Sequence, residues 1–121
     1  IRAWTGADGA PRDFELRRLG VEVKTSAANE PQIVPIHGER QLDDSGLYAL
    51  TLVHLSFEIL RDAGESLPQA VTSLRELAEG RSEAGLLEDR LLQSGYIDDH
   101  VDLYRRTGYA LRRTSHFRVR E

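Results

Sequence analysis

The sequence predicts a mixed α/β (α+β) domain in which a sheet is flanked by helices. Three observations carry this. Strand-like patterns occupy residues 13–18, 21–27, 47–60 and 109–121, with period-two alternation in the second half of 47–60 and over 109–121. Between residues 66 and 106 the apolar spacing lengthens to the helical repeat. The order is therefore strands, then helices, then a closing strand, with no internal repeat or low-complexity linker dividing it.

Taken in order, residues 1–12 read as a loop, with Gly6, Gly9 and Pro11 as breakers and no Gly-x-Gly-x-x-Gly spacing to cradle a phosphate. Residues 13–18 and 21–27 are expected as two strands around a turn near Leu19-Gly20. In the second, Val21, Val23 and Thr25 share one face, and Glu22 and Lys24 the other. Residues 32–36 form a short third strand, which Pro35 places at an edge or bulge. Asp43-Asp44 before Ser45-Gly46 is turn chemistry.

Residues 47–60 are the most apolar stretch. Their first half is apolar on both faces, as in a central strand. In the second half Val53, Leu55, Phe57 and Ile59 alternate with His54, Ser56 and Glu58, which predicts one face turned to water. A helix follows, with Ser66 as N-cap, Pro68 in its first turn, Val71, Leu74, Leu77 and Ala78 facing inward, and Gly80 as its stop. A second spans about residues 82–94, with Leu86, Leu87, Leu91 and Leu92 inward and Gly95 ending it. Residues 98–106 form a third, and 109–121 the last strand.

At 121 residues the chain is expected to be one domain, residues 1–121. With 40% hydrophobic and 30% charged residues, its composition is that of a soluble globular protein. No apolar run approaches the roughly 20 residues that span a bilayer, so no membrane partner is expected. Cysteine is absent, which rules out disulfides and a thiolate zinc site and fits a cytoplasmic location. Methionine is absent too, and the last residues lie within an alternating pattern, so the chain is expected to be a piece of a longer protein.

The net charge of −4 argues against a nucleic-acid coat protein. Its distribution leaves room for a local phosphate-binding stripe. Residues 105–120 carry six arginines and no acid, and the alternate pair Arg118 and Arg120 is a candidate for DNA contact. A solvated strand face is the plain alternative.

Lys24 is the one lysine; the other fifteen basic residues are arginine. An ammonium is a compact point charge, whereas guanidinium is a wide planar fork, so the exception marks a place where the chemistry differs. Glu22 sits two residues before it on the same strand face. Asp13 lies eight residues upstream of Glu22, across a short turn that makes the strands neighbours. Phosphodiester hydrolysis needs a cation on the phosphate, an activated water and relief of charge at the leaving oxygen. Asp13 and Glu22 supply the two hard carboxylates that Mg²⁺ takes alongside water and phosphate, with Mn²⁺ as a substitute. Lys24 would orient the water or stabilise the phosphorane. The bland alternative is a cross-strand salt bridge. His37, His54, His100 and His116 lack metal-site spacing and are expected on the surface or a strand face. Asp98, Asp99 and Asp102 around His100 read as solvated charge, and Trp4 and Tyr48 as core or lid.

Asp13 followed by Glu22-Val23-Lys24 resembles the core motif of the PD-(D/E)XK nuclease superfamily. Together with Trp4-Thr5-Gly6, Pro11-Arg12-Asp13-Phe14, Glu39-Arg40-Gln41-Leu42 and Leu52-Val53-His54-Leu55-Ser56, it resembles a bacterial PD-(D/E)XK family associated with restriction-modification and phage-defence gene clusters. The resemblance spans roughly residues 4–121. It implies a restriction-endonuclease-like fold, Asp13 and Glu22 as metal-binding acids, Lys24 as the catalytic lysine and Gln41 as a polar residue lining the site. Arg12 stands where the motif has proline. The resemblance also implies a preceding helix, often the source of another acid, which the sequence from Ile1 onward does not include.

The expected function is therefore a Mg²⁺-dependent DNA endonuclease, with other proteins of a bacterial restriction or defence system as its expected partners. The rivals are an inactive nuclease fold that binds DNA or assembles with partners, and an interaction domain whose Glu-x-Lys is only an ion pair.

Overall fold

The computed structural model describes residues 1–8, 10, 12–27, 47 and 49–119. It contains strands β1 (Phe14–Leu16), β2 (Leu19–Ala27), β3 (Ala49–Arg61), β4 (Glu65–Ser66) and β5 (Thr107–Arg118), with helices α1 (Leu67–Ala78), α2 (Ala84–Gln93) and α3 (Val101–Tyr104) between the last two strands. The strands hydrogen-bond in the order β1-β2-β3-β5-β4. β1 and β2 pair antiparallel, β2 and β3 parallel, and β4 and β5 antiparallel. This is a mixed sheet in an α+β, restriction-endonuclease-like fold. Parallel pairing of β2 with β3 needs a long crossover, and 21 residues separate the two strands. The strand read at 32–36, with Pro35, the turn at 43–46, His37 and Tyr48 lie outside the described residues.

Two compact units divide the chain, one of Ala3–Phe57 with Leu111–Glu121 and the other of Ile1–Arg2 with Glu58–Ala110. In the first, Leu50 is the buried hydrophobic side chain among the described residues, against three buried polar ones, Glu22, His54 and Ser56. The N-terminal segment runs along β1. Glu15 N–H bonds the Ala3 carbonyl, Trp4 bridges to Phe14, and the N–H groups of Thr5 and Gly6 both reach the Asp13 carbonyl at 2.9 Å.

The β1–β2 turn is not at Leu19-Gly20 as the sequence suggests. Leu16 pairs with Leu19, so Arg17 and Arg18 are the two-residue loop, with φ of 51° and 63°. Two consecutive positive φ values are what a tight hairpin compatible with strand twist requires. Glycine was the obvious residue to place there, but Gly20 serves packing within β2. A Cβ on it would lie 2.9 Å from Leu47 Cδ1 and 3.2 Å from Leu50 Cδ1.

The second unit holds the helices. Ser66 ends β4 and caps α1, its Oγ accepting from Gln69 N–H while the Gln69 side chain accepts from Ser66 N–H. This reciprocal capping box contributes about 1 kcal/mol. The buried positions of α1 are Val71 and Ala78, with half-buried Arg75 between them; Leu74 and Leu77 are exposed, against expectation. The cause is Arg75. Its guanidinium binds both oxygens of Glu88 at 2.7 and 2.9 Å and both of Asp98 at 3.0 and 3.3 Å, over the Tyr96 ring. Bonds to Glu88 and Asp98 raise its already high pKa further. Inward residues of α2 are Leu87 and Leu91, with Leu92 exposed. The third predicted helix is a 3-10 turn, Asp98–His100, running into the single turn of α3.

Candidate active site

β2 carries the site. Strand alternation puts Glu22, Lys24 and Ser26 on one face, and the parallel register sets them beside Leu52, His54 and Ser56 of β3. Three of these are buried, Glu22 at 2% exposed, Ser56 at 3% and His54 at 6%, while Lys24, Ser26 and Leu52 are half-buried. Expectation had turned His54 and Ser56 to water. Instead Val53, Leu55 and Phe57 are only half-buried and Ile59 is exposed. Alternation separates two faces but does not say which is covered, and here the polar one is.

Asp13 stands one residue before β1, where the ladder with β2 ends. Its Oδ2 accepts the Val23 N–H at 2.8 Å, continuing the pairing through a side chain. The two N–H groups on its carbonyl fix the backbone, and Gly6 must be glycine for this contact. A Cβ there would lie 2.9 Å from Asp13 Cα and 3.1 Å from Asp13 Oδ1. Trp4-Thr5-Gly6 is thus the clamp that holds Asp13 against β2, aided by the Thr5 hydroxyl on the Arg12 carbonyl at 3.2 Å. Arg12, at the position of the motif's proline, pairs with Glu15 at 3.6 Å.

Glu22 Oε1 receives the Lys24 ammonium at 3.2 Å. Its Oε2 is buried, with no hydrogen-bond partner among the described residues. Burial raises the Glu22 pKa most; the Lys24 bond opposes this, the Asp13 charge adds to it, and the Lys24 charge and Asp13 N–H lower it again, leaving it raised above 4.5. An ionised carboxylate with one oxygen buried and unpaired is an expensive arrangement in a folded protein. Protonation relieves it, as the raised pKa reflects, and a bound cation would do the same.

The donor set fits Mg²⁺ or Mn²⁺: two hard carboxylates, with the rest of the shell left to water and phosphate. Among the described residues no group of three or more His, Cys, Asp and Glu side chains forms a metal cluster.

The profile of a family described as "Putative PD-(D/E)XK family member" matches residues 1–121. The chain belongs to this PD-(D/E)XK family. No curated protein and no solved structure matches it. Asp13, Glu22 and Lys24, the residues that match the PD-(D/E)XK motif, meet at the junction of β1 and β2. Gln41 and Arg120 lie outside the described residues. Arg118 is exposed at the end of β5, where the next N–H, Val119, bonds the Leu50 carbonyl and so brings this end beside the start of β3.

His54 and Ser26 are the residues that sequence reasoning missed. Ser26 Oγ and His54 Nε2 are 2.7 Å apart, the donor depending on the imidazole tautomer. His54 sits in register with Lys24. The signal was available: Ser26 continues the parity of Glu22 and Lys24, and His54 begins a polar parity in an otherwise apolar strand. Asp98, Asp99 and Asp102 belong to the helical unit, where Asp98 serves Arg75 and Asp102 pairs with Arg105.

Proposed function

We propose that this domain is a divalent-metal-dependent DNA endonuclease acting with other proteins of a bacterial restriction or phage-defence system. The observation that carries the reading is the buried, unpartnered Glu22 Oε2 beside Asp13, with Lys24 on the other oxygen. Asp13 and Glu22 would hold Mg²⁺, which when bound neutralises phosphate charge and lowers the pKa of water. Lys24, 12% exposed and tied to Glu22, presents its ammonium where it orients the attacking water and offsets charge growing on the phosphate. Val23 N–H orients the Asp13 carboxylate, and the Ser26–His54 pair packs the site beyond Lys24. Arg118 would add a phosphate contact.

The family is nuclease-like by descent, and one observation favours a second reading. With only two acids gathered among the described residues, the domain would bind DNA without cutting it. Nicking of supercoiled plasmid in Mg²⁺ or Mn²⁺, lost in Asp13→Ala, supports the enzyme. Metal-independent binding with no nicking supports the module. A salt-bridge role alone is supported if Mn²⁺ causes no paramagnetic broadening at Asp13 and Glu22.

A further inference from the structure

We infer that the β1–β2 hairpin tip, Arg17 and Arg18, is a clamp for the DNA backbone beside the cleavage site. Both residues adopt the left-handed conformation, with φ of 51° and 63°. Two-residue hairpin loops of this kind strongly prefer Asn-Gly, Asp-Gly or Gly-Gly, because a Cβ is strained there. This chain places two long cationic side chains at the two positions that favour them least. An outlier of that sort points to a job done by the side chains.

Position supplies the second argument. Both arginines are exposed, and the paired leucines Leu16 and Leu19 that flank them are about half exposed, so the tip projects into solvent. Glu22 is three residues along β2 from Leu19, roughly 10 Å at the strand rise. That distance corresponds to about three base-pair steps along the axis of a DNA duplex. A strand whose scissile phosphate lay at Asp13 and Glu22 would therefore run its neighbouring phosphates past Arg17 and Arg18. Guanidinium suits this role, since its fork grips phosphate oxygens in pairs. The inference rests on the nucleic-acid reading above and concerns binding, not chemistry.

The test uses Arg17→Asn/Arg18→Gly, which installs the preferred turn and removes both charges. Relief of strain should raise Tm by a few degrees. The slope of log binding constant against log salt for a duplex should fall by up to about two, which is roughly tenfold in affinity per lost contact at 0.1 M salt. Arg17→Gln/Arg18→Gln should lower the slope equally without the gain in Tm, and Arg17→Lys/Arg18→Lys should retain it. Mn²⁺ broadening at Asp13 should persist in all three, whereas Lys24→Arg should lose cleavage and keep the parent slope. An unchanged slope in both charge-removing variants overturns the clamp and leaves the nuclease reading standing. A parent with no salt-dependent duplex binding overturns both.

Discussion

Replacing Asp13 by alanine and by asparagine should separate its structural role from its chemical one. The Oδ2 atom of Asp13 accepts the Val23 N–H at 2.8 Å. Alanine leaves that amide without its acceptor at a half-buried position, which costs about 1–3 kcal/mol. A smaller term runs the other way. The Asp13 charge raises the Glu22 pKa, so its removal eases repulsion between two carboxylates. The expected net loss for Asp13→Ala is about 1–2 kcal/mol, or several degrees in Tm. Asparagine keeps an oxygen for Val23 and loses only the charge, so Asp13→Asn should match the parent within about 0.5 kcal/mol. Both variants should lose Mn²⁺ broadening at Glu22 and all metal-dependent cleavage. Urea unfolding at neutral pH reads the first pair of outcomes and Mn²⁺ titration the second. If Asp13→Asn unfolds as readily as Asp13→Ala, the hydrogen bond is not what Asp13 supplies to the fold. If either binds Mn²⁺ as the parent does, Asp13 is not a ligand.

Four further substitutions test the same region. Lys24→Arg keeps the charge but widens the head group, and should abolish cleavage while leaving Tm within about 2 °C; undiminished cutting would mean the lysine has no special chemistry. Glu22→Gln fixes a neutral side chain. Because burial raises the Glu22 pKa, this residue favours folding below its ordinary 4.5 and loses that contribution as pH rises through the raised value. Glu22→Gln should therefore be more stable than the parent near pH 7, with the gap closing in acid; a parent that is the more stable at neutral pH contradicts the assignment. Gly6→Ala places a methyl 2.9 Å from Asp13 Cα and should cost about 1–3 kcal/mol together with metal affinity, as followed by urea melts and Mn²⁺ titration. His54→Phe retains bulk but strands the Ser26 hydroxyl, for about 1–2 kcal/mol and a fall in cleavage rate with Mn²⁺ binding intact; loss of metal binding instead would make His54 part of the metal shell.

Much of this molecule was legible from residue order, and the parts that were not share a cause. Ser66, Pro68 and Gly80 marked the bounds of α1, because caps and breakers act locally. The shared parity of Glu22 and Lys24, one short turn after Asp13, was legible for the same reason: strand pleat fixes which side chains share a face. Which face is covered depends on what packs there, and no window of sequence contains that. His54 and Ser56 were accordingly turned the wrong way, and Leu74 and Leu77 were turned inward where Arg75 stands. Leu19-Gly20 suggests a turn because glycine is a turn signal, whereas Gly20 answers to Leu47 and Leu50.

These failures are not scattered at random. In the unit that carries the site, the described residues bury one hydrophobic side chain and three polar ones, leave a carboxylate oxygen without a partner, and hold two arginines in a glycine conformation. Each departs from the rules that make local preference agree with the fold, and each lies within residues 13–26 or in the strand beside them. Arg75 breaks a rule as well, in the helical unit, but Glu88 and Asp98 satisfy it completely. A compensated exception is packing. The Glu22 oxygen that meets no partner among the described residues is an exception of the other kind, and on the function proposed above a bound cation would complete it.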